Sequence, residues 1–135
     1  MKKNAFTLIE LLAVIAILAL ILTIGVPNLL NTITKSKKRA NIISARDIIK
    51  IGRIYAMENG DFTEIDILAN TLSYKGEKPE KGIVQTNEDG DTRVMFYKDG
   101  FCITKSYTET DVNVTETTID NCLLRFFLHL LLLVD

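Results

Sequence analysis

Residues 6 to 26 form an apolar run with one carboxylate inside it, and that run limits what the rest of the chain can be. Fourteen of its positions are Leu, Ile, Val or Phe, and Glu10 is its single charge. About 20 residues rising 1.5 Å each cross a hydrocarbon core of about 30 Å, so a helix of this length can span a membrane. The energetics agree. On an insertion scale the fourteen apolar side chains contribute roughly −4 to −8 kcal/mol, while a charge at the helix centre costs about 2.5 to 3.5 and one near the end, as at Glu10, costs less. An ionisable group kept in such a segment is a functional candidate with a partner to be found. The run holds no cation. The partner must come from elsewhere, and a newly exposed terminal amine is the simplest supply.

Two ordinary readings compete. A secretory signal would use Lys2 and Lys3 as its basic region, but its apolar core is about 7 to 15 residues and its small-residue cleavage site follows that core. A plain single-pass anchor would have the same span. What separates them is the block around the acid. Met1-Lys2-Lys3-Asn4-Ala5 followed by Phe6-Thr7-Leu8-Ile9-Glu10 resembles the amino terminus of the type IV pilin and pseudopilin family, with its short basic leader, small residue and Phe-Thr-Leu-Ile-Glu. The resemblance implies that a prepilin peptidase cuts between Ala5 and Phe6 and methylates the new Phe6 amine. It implies further that Glu10 pairs with that amine on a neighbouring subunit. Pro27 falls where the family carries a proline, at the outer end of the apolar segment, and counts with Glu10 as an assembly residue. One departure is Ala5, where glycine is usual.

By this resemblance residues 1–5 are a leader, 6–26 a membrane and filament-core helix, and 27–135 an extracytoplasmic head. The implied fold is α+β, with the second half of a long helix packed on a small antiparallel sheet. The implied function is that of a structural subunit of a type IV pilus or pseudopilus, anchored in the membrane before assembly and at the cell surface afterwards. Its partners would be the prepilin peptidase, other pilin subunits, the pilus or secretion assembly machinery and the membrane. The alternatives are a minor pseudopilin of a type II secretion or DNA-uptake system, and a membrane-anchored binding module that never polymerises. Lys35, Lys37, Lys38 and Arg39 pull the other way on orientation, because a positive-inside count places this cluster in the cytoplasm. The motif outranks that statistical bias.

Composition bounds the remainder. The chain has 135 residues, so about one hundred are left for one small domain. Lys2, Lys3 and Glu10 aside, it carries 14 basic and 16 acidic residues, a near-neutral balance without a nucleic-acid signature. Lone His129 and two cysteines argue against a zinc-type cluster. No cofactor is implied. There is no phosphate loop, nucleophile elbow or His-Glu-x-x-His helix, so no catalytic residue is assigned and an enzyme is not expected.

Beyond Pro27, Ile42, Ala45, Ile48, Ile49, Ile51, Tyr55 and Ala56 recur at near-helical spacing. Asn59-Gly60-Asp61 supplies the stop. If Pro27 only kinks the chain, Phe6 to Asn59 is one helix of about 80 Å, weakest at Gly25 and Pro27. Thr92 to Tyr97 and Phe101 to Tyr107 read as strands joined by a three-residue loop, Lys98-Asp99-Gly100. Gly82 to Thr86 and Asp111 to Thr117 read as further strands, and the stretch from Gly60 to Gly82 mainly as connecting loop.

Cys102 and Cys122, an even pair in a domain that the resemblance places outside, are expected to form a disulfide, as many pilins staple this region. Two free buried thiols are the alternative. Asn87-Glu88-Asp89-Gly90-Asp91 lacks the EF-hand pattern and reads as a solvated turn in preference to a calcium site. Lys35 to Arg39 reads as a headgroup-facing or solvated patch in preference to a DNA contact. Leu123 to Val134 is twelve mostly apolar residues, too short to span. A buried last segment, an interaction surface, an interfacial helix and an altered reading frame all fit it.

Overall fold

The computed structural model describes residues 7–69, 72–74 and 77–131. Helix α1 covers Leu8–Asn59 and is followed by strands β1 (Ile65–Asp66), β2 (Lys81–Thr86), β3 (Thr92–Lys98), β4 (Phe101–Lys105) and β5 (Asn113–Glu116), then helix α2 (Ile119–Leu131). The chain divides into two compact units, Met1–Ser36 and Lys37–Asp135, and α1 contributes to both.

In the first unit α1 is helix alone. Every described side chain from Thr7 to Ala40 is exposed. The most apolar 18-residue window has a mean hydropathy of 2.8, so this helix is long and apolar enough to cross a membrane. α1 runs through Pro27 without a break in helix. Proline lacks the N–H that would bond the Thr23 carbonyl one turn back. Around it, Thr23, Asn28 and Thr32 donate side-chain hydrogen bonds to the carbonyls of Ala19, Ile24 and Asn28 at 2.7, 3.4 and 3.0 Å.

The second unit is an α+β head. Its sheet is fully antiparallel in the order β1-β2-β3-β4-β5, so every strand lies beside its sequence neighbour. Alternation along the strands splits the apolar residues between two faces. Val84, Val94, Phe96, Phe101 and Ile103 meet Ala45 and Ile48 of α1. Met95 and Cys102 meet Cys122, with Leu123 and Phe126 of α2 beside them. The stripe α1 buries is Asn41, Ala45, Ile48, Gly52 and Ala56, spaced three or four apart. Gly52 packs closely on β2; a Cβ there would lie 2.8 Å from a Val84 methyl. Asn41 fixes the other end by donating to the Lys98 carbonyl at 3.4 Å.

α1 stops where the sequence says it should. Gly60 has φ 64° and the Asp61 N–H donates to the Ala56 carbonyl at 3.2 Å, the outer bond of a Schellman closure. The β3–β4 hairpin is one residue tighter than the sequence suggests. Lys98 pairs with Phe101, leaving only Asp99 and Gly100 in the loop, with φ 53° and 84°. Two positive φ angles are the pattern of a type I′ turn, and aspartate tolerates that region better than most residues. The stretch read as loop between Gly60 and Gly82 also contributes more than connection. β1 pairs Ile65 with Val84 and Asp66 with Ile83, and Ile65, Ile67 and Leu72 are buried in the core.

Candidate assembly site and head staple

Thr7 and Glu10 close the amino end of α1 on each other. The Thr7 backbone N–H donates to Glu10 Oε2 at 2.9 Å and the Thr7 hydroxyl donates to the same oxygen at 3.0 Å. In return the Glu10 N–H reaches Thr7 Oγ1 at 3.4 Å. This is a capping box, in which residue three of the helix and the residue before it satisfy donors that have no partner within the helix. The carboxylate also sits where the helix dipole favours negative charge. Glu10 therefore has a structural role inside its own chain, and only one of its oxygens is used. Oε1 carries no hydrogen bond among the described residues.

A disulfide staples the head. Cys102 and Cys122 form a disulfide with a Cα–Cα distance of 5.4 Å and a sequence separation of 20. A loop of that size predicts about 3 kcal/mol of stabilisation on the chain-entropy account. The bond joins α2 to β4 on the sheet face away from α1. Arg93 adds a second tie: its guanidinium lies 5.5 Å from the Tyr107 ring centre and 5.8 Å from that of Phe126 on α2. An ion pair with Glu64 at 3.4 Å holds its other side. Burial pushes the Tyr107 hydroxyl above its ordinary pKa.

α2 resolves the run of uncertain role into two faces. Cys122 is buried and Leu123 and Phe126 are half-buried against the sheet, whereas Leu124, Phe127 and Leu128 are exposed. The side chain of His129 and all of 132–134 lie outside the described residues.

Residues 1–26 match the family described as the prokaryotic N-terminal methylation motif. The type IV wide pilus major component PilA4 of Thermus thermophilus is 42% identical over 78 residues, which are 55% of this chain and 56% of that protein. Both likenesses are to the type IV pilin family. The chain spans about half the length of the curated relative it matches. No solved structure matches the chain.

Of the residues singled out in the sequence, Ala5 and Phe6 lie outside the described residues. Glu10 and Pro27 share α1 but are seventeen positions apart and do not meet. Cys102 and Cys122 are brought together. The basic cluster at Lys35, Lys37, Lys38 and Arg39 is exposed throughout. The acidic stretch is the turn between β2 and β3, with the Asp91 N–H donating to Asn87 Oδ1 at 2.7 Å and Gly90 at φ 86°. Among the described residues no three His, Cys, Asp or Glu side chains converge on a metal position. The residue missed was Thr7, although the signal was present: Thr-Leu-Ile-Glu ahead of an apolar run is the sequence form of a capping box.

Proposed function

We propose that this chain is a structural subunit of a type IV pilus or pseudopilus, processed by prepilin peptidase between Ala5 and Phe6, methylated on Phe6 and polymerised through residues 6–26. On this reading residues 1–5 are discarded and 27–135 form the head outside the membrane. The observation that carries it is the join of a methylation motif over residues 1–26 to a helix whose apolar side chains are exposed on every side from Leu8 to Val26. An apolar stretch with no covered face needs lipid before assembly and other helices afterwards.

Glu10 suits a role in register. Its capping box occupies Oε2 and leaves Oε1 to accept from a neighbouring Phe6 ammonium. In a core of low dielectric an unpaired charge is costly, so a subunit out of register is penalised. Head-to-tail contacts of this kind do not close into rings but extend as open filaments. Likeness to a pilus major component favours a pilus over a secretion or DNA-uptake system. Shearing of native cells tests the reading. The chain should be recovered in the filament fraction; recovery only with membranes, in cells that assemble other pili, points to the non-polymerising anchored module.

A further inference from the structure

The head carries a groove of about 360 Å³ along α1, lined by Arg46, Lys50, Arg53 and Lys105, with Ile54 and Val112 between them. Arg46, Lys50 and Arg53 follow at intervals of four and three, so they form one stripe on the helix surface. All three are exposed, and no hydrogen bond or ion pair occupies their charged groups among the described residues. Lys105 is held by the carbonyls of Thr92 and Ser106 at 3.0 and 3.1 Å, which leaves its third proton for another acceptor. Asp111 is the single acid in the lining.

The same head has the converse feature. The β2–β3 turn presents Glu88, Asp89 and Asp91, all exposed and with carboxylates unpaired among the described residues. The turn is preformed by three hydrogen bonds: Asn87 N–H to Asp91 O at 2.9 Å, Gly90 N–H to Asn87 O at 3.0 Å and Asp91 N–H to Asn87 Oδ1 at 2.7 Å. It abuts the end of the basic stripe, since a Cβ on Gly90 would lie 2.9 Å from the Met57 methyl, and Met57 follows Arg53 by four positions. Yet turn and groove form no ion pair within the chain.

We infer that the acidic turn of one copy docks in the basic groove of a second copy displaced along α1. The proposal rests on the reading of the chain as a filament subunit. Charge complementarity selects the occupant: a near-neutral head has sorted three free cations and three free carboxylates into two neighbouring patches. The two patches differ, so the contact is heterologous and repeats from copy to copy. The groove has no aromatic side chain on which nucleic-acid bases could stack. The pairs also fix head register independently of Glu10, since like charges meet when a neighbour is misplaced.

A zero-length carbodiimide cross-link on filaments grown from mixed isotopically light and heavy subunits tests the contact. Peptides joining Lys50 of one isotope to the Glu88–Asp91 turn of the other are expected, and their absence overturns the proposal. A charge swap gives the second measurement. Replacing Arg46, Lys50 and Arg53 together by Glu should lower filament yield about tenfold, as three exposed pairs at about 0.5 kcal/mol each imply. Glu88→Lys, Asp89→Lys and Asp91→Lys together should do the same, and both sets combined should restore the yield to within about twofold. Each variant is first checked for the Cys102–Cys122 bond and for an unchanged melting temperature, with Gln replacements of the three cations standing in if the reversal fails to fold. Unchanged yield from either set alone, or no rescue from a folded combination, overturns the docking while leaving the subunit reading intact. If the parent chain forms no filaments, that reading fails, and the same cross-link in concentrated micelles still decides the contact, its presence supporting the docking and its absence overturning it.

Discussion

The two stretches of α1 meet the same requirement in opposite ways. From Leu8 to Ser36 the apolar residues surround the helix and none is covered by the rest of the chain, so whatever covers them has to be supplied from outside. From Lys37 to Asn59 one stripe of the helix, Asn41, Ala45, Ile48, Gly52 and Ala56, is buried, and Ala45 and Ile48 in it pack against the chain's own sheet. A stripe of one face is the mark of a helix packed on one partner; apolar residues all round are the mark of a membrane or a bundle core. One continuous helix thus carries a segment stabilised by folding and a segment stabilised only by its surroundings.

The largest expected effect attacks the first stretch at its one charge. Glu10→Val should leave membrane insertion intact or improved, because a charge leaves the span, yet reduce incorporation into filaments by about a hundredfold or more if the lost pair was desolvated. Fractionation gives the first quantity and sheared filament yield the second. Normal yield from this variant removes the amine pairing and reduces Glu10 to a capping and processing residue.

The next tests the second stretch's unit from the opposite face of the sheet. Truncation after Cys122 keeps the disulfide but removes Leu123 and Phe126, two half-buried side chains. The head of the detergent-solubilised chain should lose roughly 2 kcal/mol and melt roughly 10 °C lower. Unchanged melting together with reduced self-association instead assigns α2 to partner binding through Leu124, Phe127 and Leu128.

The two glycines of α1 give the finest comparison. Gly52→Ala places a methyl 2.8 Å from the packed Val84 side chain and should cost about 1 to 3 kcal/mol in thermal or denaturant unfolding of the head. Gly25→Ala meets nothing within 4 Å and should strengthen the helix of the unassembled chain by about 0.5 to 1 kcal/mol, read as helicity by circular dichroism. Equal effects at both positions would erase the distinction between the two stretches.

Much of this was legible before the fold was seen, where the signal is periodic and local. β2 to β5 follow from alternating branched and aromatic residues, the end of α1 from Asn59-Gly60, and the helix's buried face from the spacing of Ala45, Ile48 and Ala56. β1 was not, because two residues give no alternation to count and Ile65 is read only through its pairing with Val84. The hairpin loop was misjudged by one residue because Asp99 takes a positive φ that its identity permits but does not require. α2 could not be placed because its apolar residues do not say which face meets the sheet; that is decided by Cys102 and by the rings around Arg93, distant in sequence. At the amino terminus the acid stands out as the one charge in an apolar run, whereas its local partner Thr7, a hydroxyl three residues away, carries no such contrast.

The most direct test of the central claim is the terminal-peptide mass of the chain isolated from cells with active prepilin peptidase. The account predicts a mature chain that begins at Phe6 with a methylated amine. A chain that keeps Met1 to Ala5 in such cells contradicts it.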